Sequence, residues 1–180
     1  ESQPHVQHSS GKPRRTYLYL ASIHGITAGQ PPSVDFDLER KVQAACRTGI
    51  HQGWVRSAHD CAEGGVAIAL AEACISGQKG ADITLMLSPK QIEAESFRWD
   101  EILFGEGGAR IVVSISPDQA ITWEAYLQQN LGNYWQKIGQ VSGSDSLLNI
   151  SLSNDLSLIR ADVKTMSDRW NHSIESHLAV

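Results

Sequence analysis

Residues 58–72 read AHDCAEGGVAIALAE and carry the clearest strand–turn–helix pattern in the chain. Residues 54–57, which precede them, are short and extended in character, whereas an Ala-rich apolar run follows with no helix breaker before Gly77. The paired glycines Gly64 and Gly65 suit the turn between them because glycine accepts a positive φ. The pattern therefore predicts a strand, a tight turn and a helix of about three turns.

The polar residues at this turn are candidates for binding a phosphate or a metal-bound phosphate. His59, Asp60 and Glu63 follow the predicted strand and precede the helix. Unpaired N–H groups and the positive end of the helix dipole favour anions at a helix N-terminus. An acidic residue before a helix is more often a cap, however, and paired glycines more often only turn the chain. Local chemistry leaves both interpretations open.

Length and composition are those of a single globular domain. The chain has 180 residues, of which 41% are hydrophobic and 19% charged, so it can bury a sizeable core. A net charge of −5 without a basic stripe disfavours nucleic-acid binding, and no apolar run approaches the ~20 residues of a membrane span. Cys46, Cys61 and Cys74 have no metal-like spacing, which favours reduced thiols in the cytoplasm.

The N-terminal part of the chain is expected to lie outside the main domain. Residues 1–15 are polar and without periodicity, which predicts a disordered lead-in that is not a signal peptide. Residues 16–23 could form a strand or a short helix, and a breaker-rich segment follows. We place a domain boundary at residue 32, with residues 1–32 as a lead-in and residues 33–180 as the main domain.

Periodicity predicts the elements of the first two thirds of the main domain. A helix is expected after Asp35, with a buried stripe of Leu38, Val42, Ala45, Cys46 and Gly49. Alternation over 81–87 predicts a half-buried strand, and the mixed residues around 89–101 predict a helix. A glycine-rich turn carrying Glu106 then leads into an apolar strand.

The last third is predicted in the same way. Ser116 with Gln119 forms a capping-box pattern, which predicts a helix. Residues 134–142 and 147–152 are expected to be strands joined by a turn at 143–145. The apolar spacing from Leu156 to Ile174 predicts one long final helix, capped by Asn154 or Asp155. This order of strands and helices predicts an α+β fold with a layered, mixed β-sheet and helices packed on it.

Three ordered motifs resemble the C-terminal domain of the aminoimidazole-ribonucleotide synthetase superfamily. The first is SAHDxxEGGxxxALAE at 57–72, and the second is LFGE at 103–106 followed by RIVV at 110–113. The third, which begins HGxxxGxPPxVD at residue 24, narrows the resemblance to the phosphoribosylformylglycinamidine synthase family. The resemblance covers residues 17–152. It implies an α+β fold with partial similarity to a ferredoxin-like arrangement.

Membership of that family would imply a ligase of purine biosynthesis. The intact enzymes use ATP, magnesium and glutamine-derived ammonia to convert formylglycinamide ribonucleotide into its amidine. The implied partners are the remaining synthetase domains, a glutaminase subunit or domain and a small bridging subunit. Residues 1–32 would include the tail of the preceding ATP-binding domain. Without that domain, we expect them to be poorly ordered or to pair with a neighbouring chain as an added strand.

The resemblance also implies a set of site residues. Asp60 matches an aspartate that reaches Mg²⁺ at a nucleotide site, where ATP or ADP binds, and carboxylate oxygen is a ligand that Mg²⁺ prefers. His59 and the turn Glu106-Gly107-Gly108 are the implied nucleotide or substrate contacts. In the working copy of the family a Glu-Ser-Gln block stands at this turn, and a nucleotide-contacting serine stands where Ala62 is here.

These departures predict an auxiliary or vestigial nucleotide site and not the working substrate site. The catalytic histidine and the ATP-binding lysine of the family belong to other domains, so no catalytic residue is expected in this chain. Two alternatives stay open. The chain could be a non-catalytic nucleotide-binding or regulatory module of the same superfamily, or it could be a purely structural domain.

Overall fold

The computed structural model describes residues 3–7, 17–27, 33–86, 98–142, 146–153 and 156–178. The helices are α1 (Tyr17–His24), α2 (Phe36–His51), α3 (Gly65–Gly77), α4 (Trp99–Phe104), α5 (Ala120–Leu131), α6 (Val163–Asn171) and α7 (Ser173–Leu178). The strands are β1 (Gln3–Gln7), β2 (Val55–Asp60), β3 (Ala81–Leu85), β4 (Ile111–Ile115), β5 (Trp135–Lys137), β6 (Gly139–Val141), β7 (Leu147–Leu152) and β8 (Ser157–Asp162). None of the helices in these ranges is both long and apolar enough to cross a membrane.

The described strands form two four-stranded sheets. The first has the order β2-β4-β1-β5 and is antiparallel throughout. The second has the order β6-β3-β7-β8, in which β3 and β7 run parallel and the other pairs are antiparallel. Strands β5 and β6 are separated by Ile138 alone, and its carbonyl accepts the Thr84 N–H at 2.7 Å. Helices and mixed strands are thus combined in one chain, which confirms the predicted α+β class.

Helix α2 is the clearest success of the sequence pattern. The Asp35 carboxylate accepts the N–H groups of Asp37 and Leu38 at 3.1 and 3.0 Å and caps the helix, as its position predicts. The buried residues of the helix are the predicted ones, namely Leu38, Val42, Ala45, Cys46 and Gly49. They pack with β4 and α5, where the Trp123 indole is fully buried. This cluster is the core on one side of the first sheet.

Helix α3 organises the second core. It is buried on nearly all sides, as its continuous apolar sequence predicts, and only its last turn is exposed. It packs against the second sheet, where β3 alternates between buried and exposed side chains as expected. Cys46, Cys61 and Cys74 are all buried thiols. The two helices therefore each fill a separate hydrophobic cluster.

The structure corrects the expected disorder for residues 3–7 and 17–24, whereas residues 1–2, 8–16 and 28–32 lie outside the described ones. Strand β1 lies inside the first sheet and pairs antiparallel with β4 on one side and with β5 on the other. A strand that is paired through backbone hydrogen bonds on both sides needs no strict alternation of apolar residues. The polar sequence of residues 3–7 therefore gave no sign of a strand. Residues 17–24 form a helix, which settles the choice left open by their sequence. The division of the chain at residue 32 stays a prediction.

The C-terminal end is also different from the prediction. The segment expected to begin one long helix forms strand β8, which pairs with β7, and α6 begins only at Val163. Asp162 caps that helix by accepting the Thr165 N–H at 2.8 Å. Of the predicted apolar stripe Val163 is buried, whereas Trp170 and Ile174 are 57% and 74% exposed. The apolar residues before 163 satisfied a helical spacing, but backbone pairing with β7 makes them a strand.

Two smaller predictions are also corrected, and others lie partly or wholly outside the described residues. The strand expected over 134–142 is interrupted at Ile138, and β6 and β7 do not pair with each other but flank β3. Ser116 makes no side-chain cap, and α5 is preceded by a 3₁₀ turn at Pro117–Gln119. Only the end of the helix expected around 89–101 lies within the described residues, where α4 begins at Trp99. The turn at 143–145 and the caps at 154 and 155 lie outside them.

We predict that the Cys74 thiol makes stability depend on alkaline pH. Burial raises the pKa of Cys74 to about 11. The thiol of the unfolded chain ionises about two units lower, so between these values the folded state binds more protons than the unfolded state. The free energy of unfolding should therefore fall as the pH rises through this window.

The measurement is urea unfolding of the wild-type chain and of Cys74→Ala at pH 8 and pH 10.5. We expect the fall between the two pH values to be smaller in the variant by on the order of 1–2 kcal/mol. Comparing the change in unfolding free energy between the two pH values in each protein cancels the pH-independent loss of stability that the smaller alanine side chain causes. Equal slopes in the two proteins would mean that the thiol is not shielded from solvent.

Candidate functional site

Two turns carry the residues singled out by the sequence, and the first sheet places them side by side. The first turn, residues 61–64, joins β2 to α3. The second turn, residues 105–110, joins α4 to β4. Strands β2 and β4 are paired so that Asp60 lies opposite Ile111, and the two turns therefore extend from adjacent strand ends. We refer to them below as the first and the second turn.

Arg110 links the two turns from within. The Cys61 N–H donates to the Arg110 carbonyl at 2.9 Å, and the Arg110 guanidinium donates to the Gly105 carbonyl. The Arg110 side chain is buried, and burial lowers the pKa of its guanidinium, while the hydrogen-bonded Cys61 side chain acts in the opposite direction. Sequence reasoning treated Arg110 only as part of a motif. Its inward position was not foreseen.

The start of α3 is closed and does not face solvent. Residues 64–67 are all buried, which does not favour the anion site that was one of the two interpretations left open by the sequence. Gly65 has a φ of +68°, and a Cβ at this position would lie 2.7 Å from the Leu103 carbonyl oxygen and 2.9 Å from that of Gly105. Glycine is thus required both by conformation and by the close approach of the backbone after α4.

Glu106 connects the two turns with α1. Its Oε1 accepts the Gly64 N–H at 3.2 Å and the Leu18 N–H at 3.0 Å. The second donor lies in α1, 88 residues away along the sequence. Because one donor belongs to the first turn and the other to a separate helix, the Glu106 carboxylate joins three segments of the chain.

His59 is held between two oxygens. Its Nε2 lies 2.9 Å from Oε2 of Glu72 on α3, and its Nδ1 lies 2.7 Å from the carbonyl oxygen of Asp60. Since carboxylate and carbonyl oxygens only accept, both bonds form together only when both ring nitrogens carry a proton. Glu72 was not predicted as a site residue. The available signal was a single carboxylate within an otherwise apolar helix.

Asp60 and the two glycines are the accessible part of the site. The Asp60 side chain is 75% exposed, and its Oδ1 lies 3.9 Å from Nδ1 of His59. Gly107 is half-buried and Gly108 is exposed. A Cβ at Gly108 would lie 3.0 Å from Oε2 of Glu39 at the start of α2, so that carboxylate also approaches the second turn.

The described residues contain no group of three or more His, Cys, Asp or Glu side chains placed to hold a metal ion. Asp60 offers one exposed carboxylate at the end of β2. Mg²⁺ in proteins is often bound through one or two carboxylates, with water and phosphate oxygens completing its shell. The donor type fits such a metal–phosphate, although it does not form a cage for a bare ion.

Sequence comparison finds the family "AIR synthase related protein, C-terminal domain" over residues 16–147. The chain is 54% identical to "Phosphoribosylformylglycinamidine synthase subunit PurL" of Nostoc sp. over 162 residues, which are 90% of this chain and 20% of that subunit. The chain thus spans about a fifth of the length of the curated relatives it matches. Both matches include the two turns.

Structural comparison finds the same fold in a bacterial protein. Thermotoga maritima PurL complexed with FGAR matches 92% of this chain and 28% of its own with a TM-score of 0.69 and 17% identity. The same protein complexed with ADP matches 92% of this chain and 25% of its own with a TM-score of 0.65 and 19% identity. At these identities the likeness shows the fold alone.

We predict that Gly65→Ala is markedly more destabilising than Gly53→Ala. Both glycines have positive φ, which costs a residue with a Cβ about 1–2 kcal/mol. At Gly53 nothing lies within 4 Å of an added Cβ, whereas at Gly65 it meets backbone carbonyls that cannot move independently. We expect about 1 kcal/mol for Gly53→Ala and about 3 kcal/mol or more for Gly65→Ala in urea unfolding. Equal costs would contradict the close approach of the two turns.

Proposed function

Because this chain belongs to the family "AIR synthase related protein, C-terminal domain", we propose that it serves as the C-terminal-type domain of a phosphoribosylformylglycinamidine synthase. The observation that carries this proposal is the 54% identity to the Nostoc subunit across 90% of the chain. The whole enzyme would use ATP, magnesium and glutamine-derived ammonia to convert formylglycinamide ribonucleotide into its amidine. This chain would supply one domain of that enzyme and none of its catalytic residues.

Within that enzyme the two turns would form an auxiliary nucleotide site. Asp60 would bind Mg²⁺ together with the phosphates of ATP or ADP, because its carboxylate is exposed at a strand end. The nucleotide would lie between His59 on one side and, on the other, the two glycines of the turn Glu106-Gly107-Gly108, whose Glu106 carboxylate is bonded to the Leu18 and Gly64 N–H groups. The metal would supply the positive charge that the phosphates need.

The residues behind these contacts hold the site in shape. The His59 ring is held between the Glu72 carboxylate, 2.9 Å from its Nε2, and the Asp60 carbonyl oxygen, 2.7 Å from its Nδ1. Arg110 fixes the second turn through the Gly105 carbonyl. Such support from neighbouring side chains is what sets the direction of a metal-binding carboxylate.

The remaining synthetase domains are the first partners that we propose, with a glutaminase subunit or domain and a small bridging subunit as further ones. The length of the relatives supports this, since four fifths of the Nostoc subunit lies outside the match. Large apolar side chains on the surface support it too, for Phe36 and Leu178 are 74% and 76% exposed. A cytoplasmic location agrees with three buried thiols.

A purely structural role is the second candidate. The observation that favours it is the N-terminus of α3, where residues 64–67 are buried and the Gly64 N–H is already bonded to the Glu106 carboxylate. In that case Asp60 would only terminate β2. The two candidates differ in whether Mg²⁺ and a nucleotide bind at Asp60.

We predict that the chain is inactive by itself but functions within an intact subunit. The chain alone should form no amidine from ATP, formylglycinamide ribonucleotide and ammonia, because the groups that stabilise the transition state lie elsewhere. A chimera in which this chain replaces the aligned segment of the Nostoc subunit should form the amidine. Turnover by the isolated chain, or an inactive but folded chimera, would contradict the proposed role.

We also predict that Asp60→Asn weakens binding of Mg·ADP to the chain by about tenfold or more, because an amide oxygen lacks the charge that holds Mg²⁺. Asp118→Asn is the matched control, since Asp118 is an exposed carboxylate on the 3₁₀ turn. Binding is followed by NMR titration of the backbone amides. If the wild type and both variants respond alike, the auxiliary site is refuted and the structural role is favoured.

A further inference from the structure

We propose that Glu106 is a positioning residue whose carboxylate fastens α1 to the first turn and thereby sets the shape of the nucleotide site. This inference rests on the proposed function only for the identity of the ligand. The contacts that carry it are independent of any ligand. They are made by three segments that are far apart in the sequence.

The first step is the double role of Oε1 of Glu106. This one oxygen accepts the N–H groups of Leu18 and Gly64 at 3.0 and 3.2 Å. Hydrogen bonds to an ionised carboxylate are stronger than those between neutral groups. The Leu18 N–H belongs to the first turn of α1, where the helix dipole also favours a negative charge. Glu106 therefore acts as a cap that is supplied from another part of the chain.

The second step is the way in which α1 is attached. The Tyr19 ring is stacked on Phe104 with centroids 4.8 Å apart and planes at 8°, and Trp99 lies edge-on at 6.2 Å. Leu18 Cδ2 lies 3.5 Å from the position of a Cβ at Gly64. Residues 21–24, by contrast, are exposed. The helix is therefore held at its N-terminal end, around the Glu106 carboxylate.

The third step concerns the consequence for the site. Gly64 ends the first turn, which begins directly after Asp60, and its N–H is fixed by Glu106. If this bond were lost, Gly64 in the first turn would no longer be hydrogen-bonded to Glu106 in the second turn. Glu106 thus acts on the nucleotide through Gly64 and not by touching the ligand. An uncharged oxygen acceptor at residue 106 should retain both hydrogen bonds in weaker form, which should be enough to keep α1 and the first turn in place.

Four variants distinguish a positioning role of Glu106 from direct contact with the ligand. Glu106→Gln retains an oxygen that can accept both N–H groups, whereas Glu106→Ala removes it. Leu18→Pro removes the N–H donor of α1 in the first helical turn, where N–H groups have no partner within the helix. Leu18→Ala is its matched control, because it shortens the side chain and keeps the N–H.

The first readout needs no nucleotide. Amide hydrogen exchange of Gly64 and the nuclear Overhauser effects between Tyr19 and Phe104 are measured by NMR on the full chain. We expect Glu106→Ala to accelerate the exchange of Gly64 by about tenfold or more and to abolish the ring contacts. Leu18→Pro should weaken the ring contacts, while Glu106→Gln and Leu18→Ala should preserve both signals. Unchanged exchange and ring contacts in Glu106→Ala would overturn the proposal.

The second readout is titration of the same proteins with Mg·ADP. We expect Glu106→Gln to bind as the wild type does and Glu106→Ala to bind several-fold more weakly. If Glu106→Gln loses binding as completely as Glu106→Ala while its Gly64 exchange is unchanged, Glu106 is a ligand contact and the positioning role is wrong. If the wild type binds no Mg·ADP, the proposed nucleotide site fails, and the exchange data alone decide whether Glu106 fastens α1.

Discussion

The close approach of Gly65 to the carbonyls of Leu103 and Gly105 is the constraint on which the site depends. Because a Cβ there would lie 2.7–2.9 Å from these oxygens, only glycine lets the start of α3 lie against the second turn. That contact brings Glu106 within reach of the Gly64 N–H. It also accompanies the burial of the N-terminus of α3, whereas Asp60 and Gly108 are exposed.

The elements that the sequence predicted correctly are those whose signal is local. The five-residue stripe of α2, the apolar run of α3 and the alternation of β3 are each visible within a single window, and burial follows them. Strands β1 and β8 were missed because their stability comes from pairing with distant strands. A polar strand between two partners and an apolar strand with helical spacing both mislead a periodicity argument.

The candidate site likewise has features with a local sequence signal and features that depend on distant contacts. The sequence motifs pointed to His59, Asp60 and the turn at 106–108, and the sheet places these on adjacent turns. The motifs did not indicate the hydrogen bonds that hold these residues in position. The bond from Leu18 to Glu106 spans 88 residues, and that from Gly64 spans 42, so neither leaves a spacing that could be recognised in the sequence. Only Glu72, a lone carboxylate in an apolar helix, offered a visible signal.

The charges around the two turns bear on what the site could bind. Asp60 presents an exposed carboxylate, and Glu39 and Glu106 add negative charge near the second turn. Arg110 is the buried cation among the described residues, but its guanidinium points inward to the Gly105 carbonyl and offers nothing to a phosphate. These carboxylates would repel an anion that approaches without its own cation. The nucleotide proposed at these turns would therefore need an accompanying cation, and a divalent metal at the exposed Asp60 would reduce the repulsion.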